Sequence, residues 1–153
     1  MPKKSAGLLV YRQTSGGLEV LLVHPGGPFF KKKDAGVWSV PKGEYDDNEE
    51  PLAAARREFT EETGLAVDGT FISLTPVKQK SGKIVIAWAI EADLDVSVIK
   101  SNLFPMEWPP RSGKIQQFEE VDRAEWFDIV TAREKMIPGQ EPLLDELAAI
   151  LSK

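Results

Sequence analysis

The stretch from Glu50 to Gly64 constrains the fold of this chain more than any other. Pro51 suits the first turn of a helix and Gly64 the left-handed position that ends one, so a helix is expected over about Glu50–Thr63. Asp46, Asp47 and Asn48 supply the oxygens expected to cap its N-terminus. Leu52, Ala55 and Phe59 form an apolar stripe along that helix, which must be covered by a sheet. Glu58, Glu61 and Glu62 stand at i, i+3 and i+4, so all three share the adjoining face. Arg57 relieves part of their repulsion through Glu61, yet the local balance stays acidic. One face therefore anchors the helix while the next presents oxygen ligands.

The remaining segments supply the sheet. Ala6–Tyr11 and Leu18–His24 read as strands joined at Ser15-Gly16-Gly17, and Val20, Leu21, Leu22 and Val23 are too continuously apolar for a surface edge. Phe29–Gly36, with Lys31, Lys32 and Lys33, reads as a loop, and Val37–Val40 as a short strand ending at Pro41. Gly69–Gln79 and Lys83–Asp93 read as β runs meeting in a hairpin at Lys80-Ser81-Gly82, the first interrupted or at an edge because of Pro76. Ser101–Gln117 carries Pro105, Pro109 and Pro110 and reads as a long irregular segment, a kind that is often functional. Ala124–Phe127 reads as a strand, and Ile129–Met136 and Pro142–Leu151 as closing helices. This mixture implies one α/β domain over residues 1–153, with a sheet flanked by helices.

Composition excludes several chemistries. Without cysteine there is no disulfide framework, thiol nucleophile or Cys-ligated zinc, and a cytoplasmic location fits. No run approaches the roughly 20 apolar residues that span a membrane. The net charge of −5 argues against broad binding to a nucleic-acid backbone. A small phosphate ligand is still allowed, because divalent metals neutralise anionic partners.

Hard divalent cations prefer carboxylate, carbonyl and water oxygens. Gly43 and Glu44 add a carbonyl and a carboxylate just before the helix. Taken alone, the three helical glutamates read equally as a solvated charged face. The full spacing separates the two readings. From Gly43, five residues lead to Glu49 and seven more to Arg57-Glu58; after Phe59 and Thr60 come Glu61-Glu62, Thr63, Gly64 and Leu65. This resembles the Nudix box, G-x5-E-x7-R-E-U-x-E-E-x-G-U, at every fixed position, with Phe59 where the family usually has an aliphatic residue.

The resemblance implies an α/β/α sandwich with a mixed sheet and the box as loop-helix-loop. It also implies binding of magnesium, with manganese as an alternative, and water attack at phosphorus to cleave a phosphoanhydride bond. Carried onto this chain, it makes Glu58, Glu61 and Glu62 metal ligands beside the Gly43 carbonyl, while Arg57 and Glu49 hold loop and helix together. The proton acceptor is a box glutamate, Glu58 or Glu61, in some members and a later-loop glutamate in others. Glu120 is the favoured later candidate, as a further metal ligand as well, because it lies six residues before Trp126, the spacing of members that hydrolyse diadenosine tetraphosphate. Glu119 is its competitor.

Trp38-Ser39-Val40-Pro41-Lys42-Gly43 is similar to the same branch, and Lys42 is either a contact to a polyphosphate oxygen or simply solvated. Arg111, Lys114, Lys80 and Lys83 are weaker candidates for distal phosphates. Trp108 and Phe118, with Phe29 and Phe30, are candidates for stacking on a base, whereas Trp38, Trp88 and Trp126 read as core or strand residues. His24 reads as a strand-end residue.

The expected substrate is thus a nucleoside polyphosphate, a dinucleoside tetraphosphate first, handled by a monomer or homodimer. Oxidised or ordinary nucleoside triphosphates and an RNA 5′ end are the alternatives, and a non-catalytic nucleotide-binding regulator is the reading from another class. Domains that have lost catalysis commonly lose box glutamates, and this chain keeps all of them.

Overall fold

The structure, a computed structural model, describes residues 3–152. Strands β1 (Lys4–Thr14) and β2 (Gly17–Pro25) form a hairpin across the turn at Ser15-Gly16. They pair only at its closed end, Tyr11–Thr14 with Gly17–Val20, and then diverge. The segment leading into the box fills the resulting wedge. Ser39 exchanges backbone bonds with Val23 at 2.9 and 3.0 Å, the Leu8 N–H donates to the Pro41 carbonyl at 3.1 Å, and β3 (Lys42–Glu44) pairs antiparallel with Ser5–Gly7.

Beyond β3 come α1 (Pro51–Thr63), β4 (Ile72–Ser73), β5 (Val77–Lys78) and β6 (Ile84–Glu91). Next are β7 (Leu103–Glu107), β8 (Ile115–Glu119), β9 (Val121–Asp128), α2 (Ile129–Lys135) and α3 (Glu141–Leu151). The main sheet has the order β4-β6-β1-β2-β9, with β3 on β1 and β5 on β6. The β1–β6 pair is parallel and the others antiparallel, so the sheet is mixed.

Alternation along the central strands explains the two layers. Ala6, Leu8, Val10, Leu21 and Val23 face α1, where Ala54, Ala55 and Phe59 are buried against them. Leu9, Tyr11, Val20 and Leu22 face the other way, onto Ala132 and Met136 and the α3 residues Leu143, Leu144 and Leu147. Successive apolar residues in β2 are therefore required, because both faces are covered. This is the expected α/β/α sandwich. Among the described residues, no helix is long and apolar enough to cross a membrane.

Three local expectations are corrected. Val37–Val40 is not a strand; Trp38 and Ser39 make isolated bridges to Met136 and Val23, because they plug a wedge rather than extend an edge. The cap of α1 is not among Asp46, Asp47 and Asn48. Glu50 accepts from the Leu52 and Ala53 N–H groups at 3.2 and 2.9 Å, while Asp46 accepts from the Asn48 N–H within its own turn. Ser101–Gln117 is not irregular throughout, since β7 and β8 form a separate two-stranded sheet in which Phe104 faces Phe118 and Pro105 faces Gln117. Pro105 is tolerated because alternate residues of an antiparallel pair turn their N–H away from the partner, and the Trp108–Lys114 bond puts Pro105 on that outward set.

Gly7 shows how tightly the wedge is filled. A Cβ there would lie 2.5 Å from the Pro41 carbonyl oxygen and 2.7 Å from the Lys42 Cβ. Gly7→Ala is expected to lower the unfolding free energy by about 1–3 kcal/mol in urea titrations, as overpacking does. Gly16→Ala, whose Cβ meets only Thr14 Oγ1 at 3.6 Å, is expected to stay within about 0.5 kcal/mol of the unaltered chain. Equal effects at the two positions would refute this account of the wedge.

Candidate active site

Packing of α1 on β1 and β3 turns its acidic face toward the wedge. Glu58 is buried, its carboxylate lying where a side chain at position 43 would stand: a Cβ on Gly43 would come within 1.9 Å of Glu58 Oε2. Glycine is needed at position 43 for this close approach, not for an unusual backbone angle. Half-buried Glu62 accepts the Lys42 backbone N–H at 3.2 Å. Arg57 binds both oxygens of Glu49 at 2.7 and 2.8 Å, and its remaining nitrogen reaches Glu58 at 2.7 Å and Glu61 at 3.2 Å. The bidentate pair fastens the loop before the helix to the helix itself.

A second set of bonds brings Glu120 to the same place. The C-terminal turn of α1 has carbonyls without partners inside the helix. The Lys100 N–H satisfies Thr63 at 2.8 Å and the Asn102 N–H satisfies Glu61 at 2.8 Å. The Glu120 N–H then donates to the Asn102 carbonyl at 3.0 Å, and the Gly26 N–H to the Glu120 carbonyl at 2.9 Å. Lys42, Glu62 and Glu120 consequently line one cavity of about 280 Å³, together with Phe30, Ser39 and Val40. A neighbouring crevice of about 410 Å³ lies between the Gly27–Lys31 loop and the β7–β8 hairpin, with Trp108, Gln116 and Phe118 in its wall. Phe29 stands edge-on to Trp108 there, at 5.4 Å between ring centres.

The electrostatics follow from crowding. Burial pushes the Glu62 carboxyl up to about 8, with Glu58 and Glu120 adding to the rise and Lys42 opposing it. Burial likewise raises Glu58 against the Arg57 hydrogen bond, with Glu61 and Glu120 adding to the rise. It raises Glu120 too, with Glu61 contributing. Burial lowers the Lys42 ammonium with help from Lys83, while Glu62, Glu44 and Glu58 pull it back.

Excess negative charge on hard oxygens fits a divalent cation. Among the described residues, however, no three carboxylate or imidazole groups are arranged to enclose an ion, and Glu58 and Glu61 are turned onto Arg57. Holding a cation requires those two side chains to exchange part of that contact for it.

The other candidates lie apart. Lys83 pairs with Glu44 at 3.2 Å, Lys80 is exposed in its turn, and Arg111 and Lys114 sit at the tip of the β7–β8 hairpin. None of the four lines either cavity. Glu119, at the end of β8, lines the crevice rather than the cavity that holds Glu120. Trp38 is core, while Trp88 and Trp126 are half-buried strand residues. His24 is fully buried, with Asp122 at 2.8 Å on one ring nitrogen and the Lys33 carbonyl at 2.7 Å on the other, so it pins the loop that carries Phe30. Sequence reading left two connecting residues out, Asn102 and Gln140. Each is a lone amide with no spacing signal, and only the tertiary fold gives it partners.

A family model described as NUDIX domain matches residues 1–147. An RNA pyrophosphohydrolase of Brucella anthropi is 32% identical over 128 residues, covering 74% of this chain and 68% of that protein. An asymmetrical bis(5′-nucleosyl)-tetraphosphatase of Caenorhabditis elegans is 37% identical over 65 residues, covering 42% of this chain and 43% of that protein. The crystal structure of a C. elegans Ap4A hydrolase binary complex superposes with a TM-score of 0.67 at 24% identity over 98% of both chains, a likeness of fold. The chain spans between 33% and 68% of the length of the first curated relatives it matches.

The raised Glu62 carboxyl has a consequence for stability. Between the ordinary carboxyl value and about 8, the folded chain holds a proton there that the unfolded chain releases. The contribution of Glu62 therefore favours folding at acidic pH and weakens as pH rises through that window. In metal-free buffer, Glu62→Gln is expected to raise the thermal midpoint at about pH 8 and to leave it nearly unchanged at about pH 4.5. The same difference at both pH values would refute the assignment.

Proposed function

The chain belongs to the NUDIX domain family, whose hydrolases generally use divalent metal ions, and from that premise we propose that it hydrolyses a pyrophosphate bond in a nucleoside polyphosphate. The observation that carries the reading is that the box glutamate Glu62 lines one cavity with Glu120 and Lys42, with Glu58 close enough to act on Glu62. The favoured substrate is a dinucleoside tetraphosphate, and the favoured setting is the cytoplasm of the cell. The match to the C. elegans tetraphosphatase supports that substrate, as do Lys42, Glu120 and the neighbouring aromatic crevice.

In this reading Glu58, Glu61, Glu62 and the Gly43 carbonyl would hold magnesium, with manganese as a substitute, once Glu58 and Glu61 turn from Arg57. A bound divalent cation supplies charge neutralisation, an acidified water and a fixed line of attack. Lys42 meets a non-bridging phosphate oxygen from the cavity wall. Glu120 accepts the proton of the attacking water. The water oxygen bonds to the phosphorus nearest one nucleoside, the bridging oxygen leaves with the other phosphates, and the products are AMP and ATP. Phe30 beside the cavity and Trp108 and Phe118 in the crevice offer faces for a base to stack on. Arg57 and Glu49 keep the loop and helix in register.

An RNA 5′-end pyrophosphohydrolase is the second reading, favoured by the longer match to the B. anthropi protein. The net charge of −5 weighs against it.

A panel of dinucleoside tetraphosphate, nucleoside triphosphates, oxidised triphosphates and 5′-triphosphate RNA, each with magnesium, separates these readings. The expected result is fastest turnover of the dinucleotide, with ATP and AMP as products; ADP alone would overturn the mechanism. Lys42→Met is expected to raise KM by about tenfold or more with a smaller change in kcat, the loss of one charge-assisted contact. An unchanged KM would remove Lys42 from the site.

A further inference from the structure

Glu120 is held in an unusual way for a carboxylate among carboxylates. It lies in the one-residue connection between β8 and β9, and burial and Glu61 both disfavour its charge. Among the described residues, no lysine or arginine pairs with it. Its neighbour is Asn102. One terminal atom of the Asn102 side-chain amide lies 3.1 Å from the Glu61 carbonyl oxygen and 3.3 Å from Glu120 Oε2. Both of those oxygens accept hydrogen bonds, which assigns that terminal atom as the amide nitrogen, with its two hydrogens toward them and the amide oxygen away. The backbone repeats the link, as the Asn102 N–H donates to the Glu61 carbonyl at 2.8 Å and the Glu120 N–H to the Asn102 carbonyl at 3.0 Å. One residue thus ties the last turn of the box helix to Glu120 through both main chain and side chain.

We infer that Asn102 is a positioning residue: its amide holds the Glu120 carboxylate toward the box while hydrolysis takes place. The inference rests on the reading of Glu120 as proton acceptor. A neutral donor is suited to this task. Without it, repulsion from the box glutamates turns the Glu120 side chain outward. A lysine or arginine in its place would hold the carboxylate but cancel the charge that draws the proton. The hydrogen to the Glu61 carbonyl sets where the amide points, so the carboxylate is referenced to the helix that carries the other glutamates.

The test uses the full chain with magnesium and dinucleoside tetraphosphate, or 5′-triphosphate RNA if that is the substrate turned over. Asn102→Ala leaves the backbone links and removes the amide. Asn102→Asp keeps the shape and sets an oxygen against two acceptors. Asn102→Asp is expected to lose more kcat than Asn102→Ala, each by about 10- to 100-fold, with KM within about twofold. On a Glu120→Gln background, Asn102→Ala is expected to cost less than about twofold further, because the two residues act as a unit. Thermal unfolding of the metal-free variants checks that each is folded; if Asn102→Asp is not, Asn102→Ala and the double variant decide.

A packing role predicts the opposite rank, with alanine worse than aspartate, and equal costs in both backgrounds. That result overturns the inference. Wild-type turnover in both Asn102 variants, with Glu120→Gln impaired, overturns it while leaving the Glu120 reading standing. Wild-type turnover in Glu120→Gln overturns both.

Discussion

Strands β1 and β2 pair at their hairpin end and then part, and everything in the candidate site depends on what fills the space between them. A splayed pair leaves backbone donors and acceptors that must be satisfied from elsewhere. Here the Trp38–Glu44 segment satisfies them, bonding to Val23 on one side and to Leu8 and the start of β1 on the other. That insertion sets the height at which Gly43 faces α1. It requires glycine at two neighbouring places, Gly7 for contact with the Pro41–Lys42 backbone and Gly43 for contact with the Glu58 carboxylate. The carboxylates are thus located by a main-chain fit, and their chemistry is built on it.

Charge in the site is balanced unevenly. Arg57 serves three carboxylates at once, and the bidentate bond to Glu49 fixes it so that its third nitrogen can serve Glu58 and Glu61. Glu62 and Glu120 lack such a partner, and burial raises their carboxyls, as it raises Glu58 even against Arg57. Sites that concentrate like charge destabilise the fold that holds them, and the rest of the domain must offset that cost. Large apolar layers on both faces of the sheet do so, with Phe59 joining the two tasks: it is buried in the layer beneath α1 and is adjacent in sequence to Glu58.

The box helix was legible because its signals are local. Pro51, the apolar stripe, the glutamate spacing and Gly64, which takes φ 74°, lie within a few turns of one another. The N-cap was misread because three good capping residues precede the one that acts, and only geometry shows Glu50 reaching back to its own first turn. The β7–β8 hairpin was hidden by its prolines and by weak alternation, since only Phe104, Met106 and Phe118 turn partly inward. Lys80, Lys83, Arg111 and Lys114 are weaker candidates than Lys42 in the sequence, but nothing there excludes them. Their separation from it depends on where two turns point, which no residue spacing encodes. Glu120 was reached through its distance from Trp126, whereas the bonds that bring it to the box run through Asn102, more than a dozen positions upstream.

Gln140 links the wedge to the far layer. Its buried amide accepts from the Val40 N–H at 3.1 Å and donates to Ser39 Oγ and Gln79 Oε1, each at 2.9 Å. During synthesis the box and Glu120 leave the ribosome before Gln140 does. A growing chain therefore holds every acidic group of the site while the segment that aligns them still lacks its last fastening. Docking of the far layer through Gln140 completes the hydrogen bonding of the segment that leads into Lys42 and Gly43, so the alignment of the candidate site is finished only after its acidic groups are already in place.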